Sequence, residues 1–327
     1  MYIMYFQYFM LLNLISFTFL SLFIIDPFIL WFFLEMTNFM FICNMSISMN
    51  NKKMIFFYFI IQILASFLII YSMITNTLIM KNEFIKFSII VSLMLKLSIP
   101  PFHFWSPLIA KFLPWNLLLI MLTIQKIIPF YMLSNFSIYP MMINIIIILS
   151  SIIPPFMMFN LINMKMIMTY SSIHQSSWMI LLIYMKSIIW IKYFLFYSII
   201  TFSLFYTFNK LKMSMTQYYL LPQFHKFKYI NLLLILNLAS LPPLSFFYMK
   251  WFSIYLFIFN SNLLIILIIM MFSSLIMLFI YTNLLINSLF MFKFSSKMIK
   301  FNLLNNPKFT PFMIFLTLLF SPILFII

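Results

Sequence analysis

Long apolar runs follow one another from end to end of this chain, and they limit its fold more than any other feature. Each run is about 20 residues long, the length that an α-helix needs to cross a bilayer. Of the 327 residues, 66% are hydrophobic and 7% are charged, whereas a soluble domain carries about 25% charged residues. A membrane β-barrel would show short alternating segments instead. The sequence therefore predicts an all-α, polytopic transmembrane helix bundle that forms a single domain over residues 1–327.

The apolar runs predict about eleven membrane spans. They cover roughly residues 2–22, 25–45, 54–78, 84–109, 116–133, 139–159, 166–184, 188–208, 229–238, 241–259 and 263–290. A last apolar run, 311–327, would raise the count to twelve. The orientation of a membrane protein is usually set by an excess of positive charge in the loops on one side. Here lysine-bearing connections follow both odd and even spans, so the sequence does not predict the orientation.

The amino-acid usage indicates where the chain is made. Glycine and arginine are absent, and the abundant residue types share A/T-rich codons. The 31 methionines fit a genome in which ATA is read as methionine, as in animal mitochondria. We therefore predict a multi-pass protein of the mitochondrial inner membrane. The first residues lack the basic region of a secretory signal, and we expect no cleavable signal.

The net charge of +16 comes from 19 lysines against three acids. Most of these lysines flank the predicted spans, where they anchor a helix at the membrane surface, so we predict no nucleic-acid partner. Lysine-rich connections would instead attract membrane lipids, including anionic ones. The single cysteine, Cys43, excludes an intramolecular disulfide and a cysteine-ligated cluster. We expect no metal and no cofactor in this chain.

Four ionisable residues fall near the middle of predicted spans: Glu35, Lys96, Lys126 and Lys250. A charge at this depth is costly, and such residues usually face the interior of a helix bundle and mark an ion or proton path. A misplaced span boundary or a side chain that reaches back to the surface would explain any one of them. Four coincidences are much harder to explain, so the pattern favours a buried path.

Proline pairs accompany two of these lysines. Pro100 and Pro101 follow Lys96, and Pro242 and Pro243 precede Lys250. Proline removes a backbone donor and opens a helix, which membrane proteins tolerate where the backbone lines a protein-enclosed cavity. Corresponding broken helices in two halves of a chain are typical of inverted repeats with a site at the membrane midplane. The pairs therefore predict discontinuous helices. A third pair lies at 154–155.

Five segments carry a more specific pattern: LWFFLEM (30–36), KLSIPPFHFW (96–105), QKIIP (125–129), YSSI (170–173), and LPPL (241–244) followed by KW (250–251). In this order they resemble the chain 2 family of NADH-ubiquinone oxidoreductase (respiratory complex I), mitochondrially encoded antiporter-like membrane subunits. The second segment is the most specific of the five. The resemblance covers most of the chain.

The chain departs from the family pattern at several positions. Ser98 and Ser240 stand where the family has glycine, and Leu108 stands where it often has an acid. The family histidine after YSSI is replaced by Gln175, while His174 stands one place earlier, about 100° round a helix. We therefore leave His174 out of the predicted path, with a packing role bonded to a hydroxyl or an amide as the alternative.

The resemblance implies a role for each buried residue. Glu35 and Lys96 would form an ion pair that opens and closes. Lys126 would take up and release a proton, Lys250 would be the terminal lysine, and His103 is a weaker candidate for a relay. Lysine suits such a role because burial and a nearby carboxylate shift its affinity for a proton in opposite directions, whereas arginine keeps its proton.

The resemblance also implies an assembly. The chain would be a subunit of the proton-translocating NADH:ubiquinone reductase, without redox catalysis of its own. NADH, FMN, iron–sulfur clusters and ubiquinone would bind partner subunits, and the other membrane and accessory subunits of complex I would be its partners. Two alternatives remain open: a free-standing cation/proton antiporter, and a structural spacer whose buried charges are idle.

Overall fold

The computed structural model describes residues 2–78, 83–136, 140–210, 225–242, 244–258 and 263–295. Thirteen α-helices fill most of these ranges, and the all-α prediction is confirmed. They are α1 (Tyr2–Ser21), α2 (Pro27–Ser48), α3 (Lys52–Leu78), α4 (Glu83–Leu97), α5 (Trp105–Ala110), α6 (Trp115–Leu122), α7 (Ile124–Asn135), α8 (Pro140–Met158), α9 (Met164–Tyr184), α10 (Ile189–Lys210), α11 (His225–Leu238), α12 (Ser245–Ile258) and α13 (Leu264–Ser295).

Length and composition make several of these helices membrane spans. Within the described ranges, six helical segments are long and apolar enough to cross a bilayer, and two shorter apolar helices, Tyr5–Ser21 and Ser245–Ile258, accompany them. The polytopic helical class is confirmed. The predicted number of about eleven spans stays a prediction, and the last apolar run, 311–327, lies outside the described residues.

The first broken helix joins α4 to α5. The chain leaves α4 through a left-handed residue, Ser98 (φ 55°), whose N–H donates to the Leu95 carbonyl at 3.3 Å. This turn provides donors for carbonyls that a helix end leaves unpaired. Pro100 and Pro101 follow and bring no N–H of their own. Trp105, the first residue of α5, then donates its indole N–H to the same Leu95 carbonyl at 3.1 Å. The two half-helices are thus tied together across the break.

The second broken helix, from α11 to α12, repeats this geometry. Ser240 is again left-handed (φ 59°), and its N–H donates to the Asn237 carbonyl at 2.9 Å. The Asn237 side chain accepts the Phe246 N–H at 3.1 Å and so satisfies a donor in the first turn of α12. Pro242 lies in the connection, and Pro243 lies outside the described residues.

A third discontinuity was not predicted. Residues 116–133 were expected to form one span, but the helix is interrupted at Thr123, between α6 and α7. Thr123 has φ −117° and ψ −79°, and its hydroxyl donates to the Leu119 carbonyl at 2.8 Å. Pro129 lies in the second turn of α7, where its ring crowds the carbonyl four residues earlier. Pro129 lies six residues after the interruption, and α7 continues through it.

The pair at 154–155 behaves differently from the other proline pairs. Pro154 and Pro155 lie inside α8, which continues to Met158 before it ends. The helix therefore runs only one more turn past the pair. This pair therefore makes no break in α8.

The helices group into two compact units. Unit 1 consists of Met1–Ser150 and Gln175–Ser187, and unit 2 consists of Ser151–His174 and Ile188–Ile327. In unit 1, α2, α3, α4 and α7 pack against one another. In unit 2, α11 and α12 contact each other and both contact α10 and α13. The prediction of a single domain stays a prediction.

Candidate functional site

An ion pair lies in unit 1 between α2 and the end of α4. Lys96 Nζ is 3.2 Å from Glu35 Oε1. The lysine side chain is 1% exposed and the glutamate side chain 29%. The sequence left open whether these residues, 61 positions apart, form a pair. The structure brings them into contact, and the carboxylate compensates the charge of a nearly inaccessible ammonium.

Lys126 lies close to this pair, as the third residue of α7, and it is 5% exposed. A cavity of about 10 Å³ is lined by both Lys96 and Lys126. That volume is about what one water molecule needs. The structure therefore brings Lys96 and Lys126 together at one small cavity, with Glu35 in contact with Lys96.

Polar side chains from four helices complete the wall of this cavity. They are Asn38 of α2, Gln62 of α3, Ser106 of α5 and Gln125 of α7. Gln125 also donates its side-chain N–H to the Thr37 carbonyl at 3.1 Å, which ties α7 to α2. The arrangement offers several hydrogen-bonding groups to a water between two lysines.

Sequence reasoning missed most of these polar residues. Asn38 lies one helical turn after Glu35, and Gln62 lies one turn after Tyr58, whose side chain also lines the cavity. The Tyr58 ring contacts Trp105 of α5 at 5.8 Å between ring centroids. For Asn38 the sequence did contain a signal: residues three and four apart share a helix face, so a polar residue one turn after Glu35 is expected on the same side of α2.

The fourth predicted residue, Lys250, lies in unit 2 on α12 and is 6% exposed. Its ammonium donates to the Ser240 hydroxyl at 2.9 Å and lies 5.8 Å from the centroid of the Phe246 ring. All three acids of the chain precede residue 84 in the sequence, so unit 2 contains no carboxylate side chain. A hydroxyl and an aromatic face therefore accompany this lysine.

An apolar cavity of about 500 Å³ adjoins Lys250. Its wall includes the side chains of Phe247 and Trp251 of α12 and of Met271 and Leu275 of α13. Ser240 contributes a polar group beside the lysine. The surroundings of Lys250 thus differ from those of Lys126, whose cavity is small and lined by both polar and apolar side chains.

Neither His103 nor His174, both buried, is among the residues that line the cavity of Lys96 and Lys126. His103 is 2% exposed, and its ring lies 4.1 Å from that of Phe104 between centroids. His174 is fully buried in unit 2, with Nε2 3.1 Å from the Ser273 hydroxyl. This contact fits the hydroxyl-bonded packing role left open for His174.

A metal site would need several ligating side chains close together. Among the described residues, no group of three histidine, cysteine or acidic side chains could hold a metal ion. The expectation that the chain carries no metal and no cofactor stays a prediction.

Comparison with known proteins gives a consistent family. The family model described as NADH:quinone oxidoreductase/Mrp antiporter, TM, matches residues 25–277. NADH-ubiquinone oxidoreductase chain 2 of Rhipicephalus sanguineus is 35% identical over 265 residues, which cover 79% of this chain and 82% of that protein. The Anopheles gambiae protein of the same name is 35% identical over 204 residues, 59% of each chain. The match thus spans less than two thirds of the Anopheles protein.

Solved structures share the fold. A chain of respiratory complex I from Thermus thermophilus with bound aureothin superposes with a TM-score of 0.80 at 18% identity, covering 98% of this chain and 77% of that one. A chain of the Mrp complex from Dietzia gives a TM-score of 0.69 at 13% identity, covering 80% and 56%. The predicted antiporter-like helical fold is confirmed.

Proposed function

Because the chain belongs to the NADH:quinone oxidoreductase/Mrp antiporter transmembrane family, we propose that it is a proton-translocating core membrane subunit of respiratory complex I in the mitochondrial inner membrane. Protons would move through its buried glutamate and lysines. The chain would carry no redox centre, and NADH, FMN, iron–sulfur clusters and ubiquinone would bind other subunits of the assembly.

One observation carries the proposal: Lys96 and Lys126 line the same small cavity while Lys96 contacts Glu35 at 3.2 Å. When Glu35 contacts Lys96, the carboxylate compensates the charge of that ammonium. When the pair opens, the uncompensated charge of Lys96 repels a protonated Lys126 across the cavity. Repulsion between two buried charges is strong because little solvent screens them. Opening the pair would therefore favour release of the proton from Lys126.

A water in the cavity would carry the proton between the lysines, and polar side chains would orient it. A water in the cavity could accept a hydrogen bond from either ammonium, and the amides of Asn38, Gln62 and Gln125 lie in the same wall. Lys250 would act as the terminal lysine, with the Ser240 hydroxyl as its partner. His103 remains a weaker candidate for a relay, because it does not line the cavity that the lysines share.

The test replaces Lys126 by methionine in the assembled complex, in sealed membranes. The side chain keeps a similar length and loses only its proton-carrying group. We expect assembly to be retained and the number of protons moved per NADH to fall. The matched control is Lys111→Met, because Lys111 is exposed at the end of α5 and lies outside the cavity. An unaltered proton stoichiometry in Lys126→Met would refute the assigned role.

The likeness to a chain of an Mrp complex favours a second candidate, a cation/proton antiporter. It predicts sodium movement coupled to protons in vesicles that contain no NADH. The similarity to chain 2 proteins and the A/T-rich codon usage favour the complex I subunit. A structural spacer would instead tolerate Lys126→Met with no loss of pumping, so the same variant separates it from the first candidate.

The remaining parts of the proposal concern partners. The other membrane and accessory subunits of complex I would contact the apolar faces that the helices leave exposed. Anionic lipids would bind near the exposed lysines at helix ends, such as Lys52 and Lys53. We propose no nucleic-acid partner.

A further inference from the structure

A buried hydrogen-bond donor on α2 lacks an acceptor. The indole N–H of Trp31 is buried, and among the residues that the structure describes it has no hydrogen-bond partner. A buried tryptophan N–H normally finds an acceptor, because leaving it unpaired costs free energy. The indole of Trp105, in the same unit, follows this rule and donates to the Leu95 carbonyl at 3.1 Å. The N–H of Trp31 therefore indicates an acceptor that comes into place in another conformation.

The acidic residue within α2 is Glu35, which follows Trp31 by four positions. At that spacing two residues lie about 40° apart round the helix axis, and their β-carbons are about 5–6 Å apart. Side chains on a helix lean toward its amino end, which carries the side chain of Glu35 back over the turn that contains Trp31. A rotation about the side-chain bonds of Glu35 can therefore bring its carboxylate to the indole N–H.

Glu35 is also the member of the ion pair that has room to move. Its side chain is 29% exposed, whereas that of Lys96 is 1% exposed. A side chain enclosed by close packing is held in place, while a partly exposed one changes rotamer easily. A carboxylate that leaves Lys96 loses a charge-assisted hydrogen bond. A second donor on the same helix face would replace part of that loss and give the carboxylate a second stable position.

We propose that the indole N–H of Trp31 is the second partner of the Glu35 carboxylate, which alternates between Lys96 and Trp31. In one position Glu35 contacts the ammonium of Lys96 at 3.2 Å, as in this structure. In the other position a carboxylate oxygen accepts from Trp31, and Lys96 loses this counter-ion. Trp31 is a positioning residue: its N–H donates to the carboxylate and does not give up its proton.

The effect of this alternation on proton movement rests on the proposed function. With Glu35 held at Trp31, the charge of Lys96 acts on Lys126 across the cavity that the two lysines share. With Glu35 back at Lys96, that charge is compensated. Only hydrogen bonds form and break in the alternation, and no electron is transferred. The two positions of the carboxylate do not themselves depend on proton movement.

The geometry can be tested by determining the structure of the assembled complex with Lys96→Met, which removes the first partner. A carboxyl group accepts from an indole N–H whether or not it holds a proton. We expect a carboxyl oxygen of Glu35 about 3.0 Å from Trp31 Nε1. A distance above about 3.5 Å would overturn the proposal. A carboxyl oxygen bonded instead to Asn38 Nδ2, a buried donor that also has no partner among the described residues, would overturn the assignment to Trp31.

Two variants of Trp31 separate its donor from its bulk. Trp31→Gln keeps an N–H donor the same number of bonds from the β-carbon, and Trp31→Met has a similar length and no donor. In sealed membranes we expect Trp31→Met to slow proton translocation by threefold or more, and Trp31→Gln to retain at least twice the rate of Trp31→Met. NADH oxidation in uncoupled membranes should be equal in the two variants. Equal rates of translocation in the two would overturn the role of the N–H.

Phe32→Met is the control for a lost aromatic ring on this helix, because Phe32 is exposed on α2. We expect translocation at the parental rate, and a loss as large as that of Trp31→Met would overturn the specific role of Trp31. If Lys126→Met leaves translocation unchanged, the proposed function fails. The structure of the Lys96→Met complex still decides, in that case, whether Trp31 receives the carboxylate.

Discussion

Breaking the ion pair from one side should cost the protein more than removing both of its members. Glu35→Gln leaves the ammonium of Lys96, whose side chain is 1% exposed, beside a neutral amide. Removing one partner of a fully buried pair costs about 3–5 kcal/mol. Because the Glu35 side chain is 29% exposed and water can partly compensate, we expect about 2–3 kcal/mol here. Glu35→Gln combined with Lys96→Met should lie within about 1 kcal/mol of the parent.

The assay compares the parent, both single variants and the double variant in the purified complex under increasing denaturant. The retained and released fractions of the chain give a free-energy difference for each form. A coupling energy of about 2 kcal/mol between the two positions corresponds to a change of about 30-fold in the ratio of these fractions. Lys111→Met should stay within about 0.5 kcal/mol of the parent, because it changes an exposed side chain.

Additive changes in the free energy of unfolding would refute this reasoning. If the two single changes sum to the double change within about 0.5 kcal/mol, the contact of 3.2 Å contributes no coupling. A Glu35→Gln variant as stable as the parent would mean that Lys96 does not depend on this carboxylate. Either result would also remove the support for an opening and closing pair.

The two left-handed serines make a matched pair for a further prediction. Ser98→Gly should stabilise the chain by about 1 kcal/mol by relieving the left-handed backbone, whereas Ser240→Gly should destabilise it by about 1 kcal/mol, because it also removes the hydroxyl that accepts from Lys250. The denaturant assay measures both, and shifts of the same sign and size would contradict the role of that hydrogen bond. Asn237→Leu should cost about 2 kcal/mol, because the Phe246 N–H loses its acceptor, and a near-neutral change would show that another group satisfies this donor.

Much of the fold could be predicted because membrane helices obey simple rules. Apolar length predicted the helices, and proline predicted two of the breaks, since proline cannot donate a hydrogen bond in the middle of a helix. The break at Thr123 was missed because no proline marks it in the sequence. Pro154 and Pro155 show the converse, a proline pair that lies within the last two turns of α8 and does not interrupt it.

The candidate site could be predicted in its charged members and not in its neutral ones. Glu35, Lys96 and Lys126 are conspicuous because a charge in the middle of an apolar run is costly and rare. Asn38 and Gln62 were not singled out, because a neutral amide in a membrane helix is common enough to pass as packing. Their place in the cavity wall depends on the rotation of α2 and α3 about their axes, which packing sets.

The amino-acid sequence was enough to identify the kind of molecule: a helical membrane protein with one acid and three lysines at mid-depth, and with no acidic side chain after residue 83. The contact of Glu35 with Lys96, and the cavity that Lys96 shares with Lys126, became visible only in the folded chain. The physical reason is that composition sets the depth of each charge along its own helix, whereas a contact between residues 61 positions apart depends on how side chains of different helices fit together.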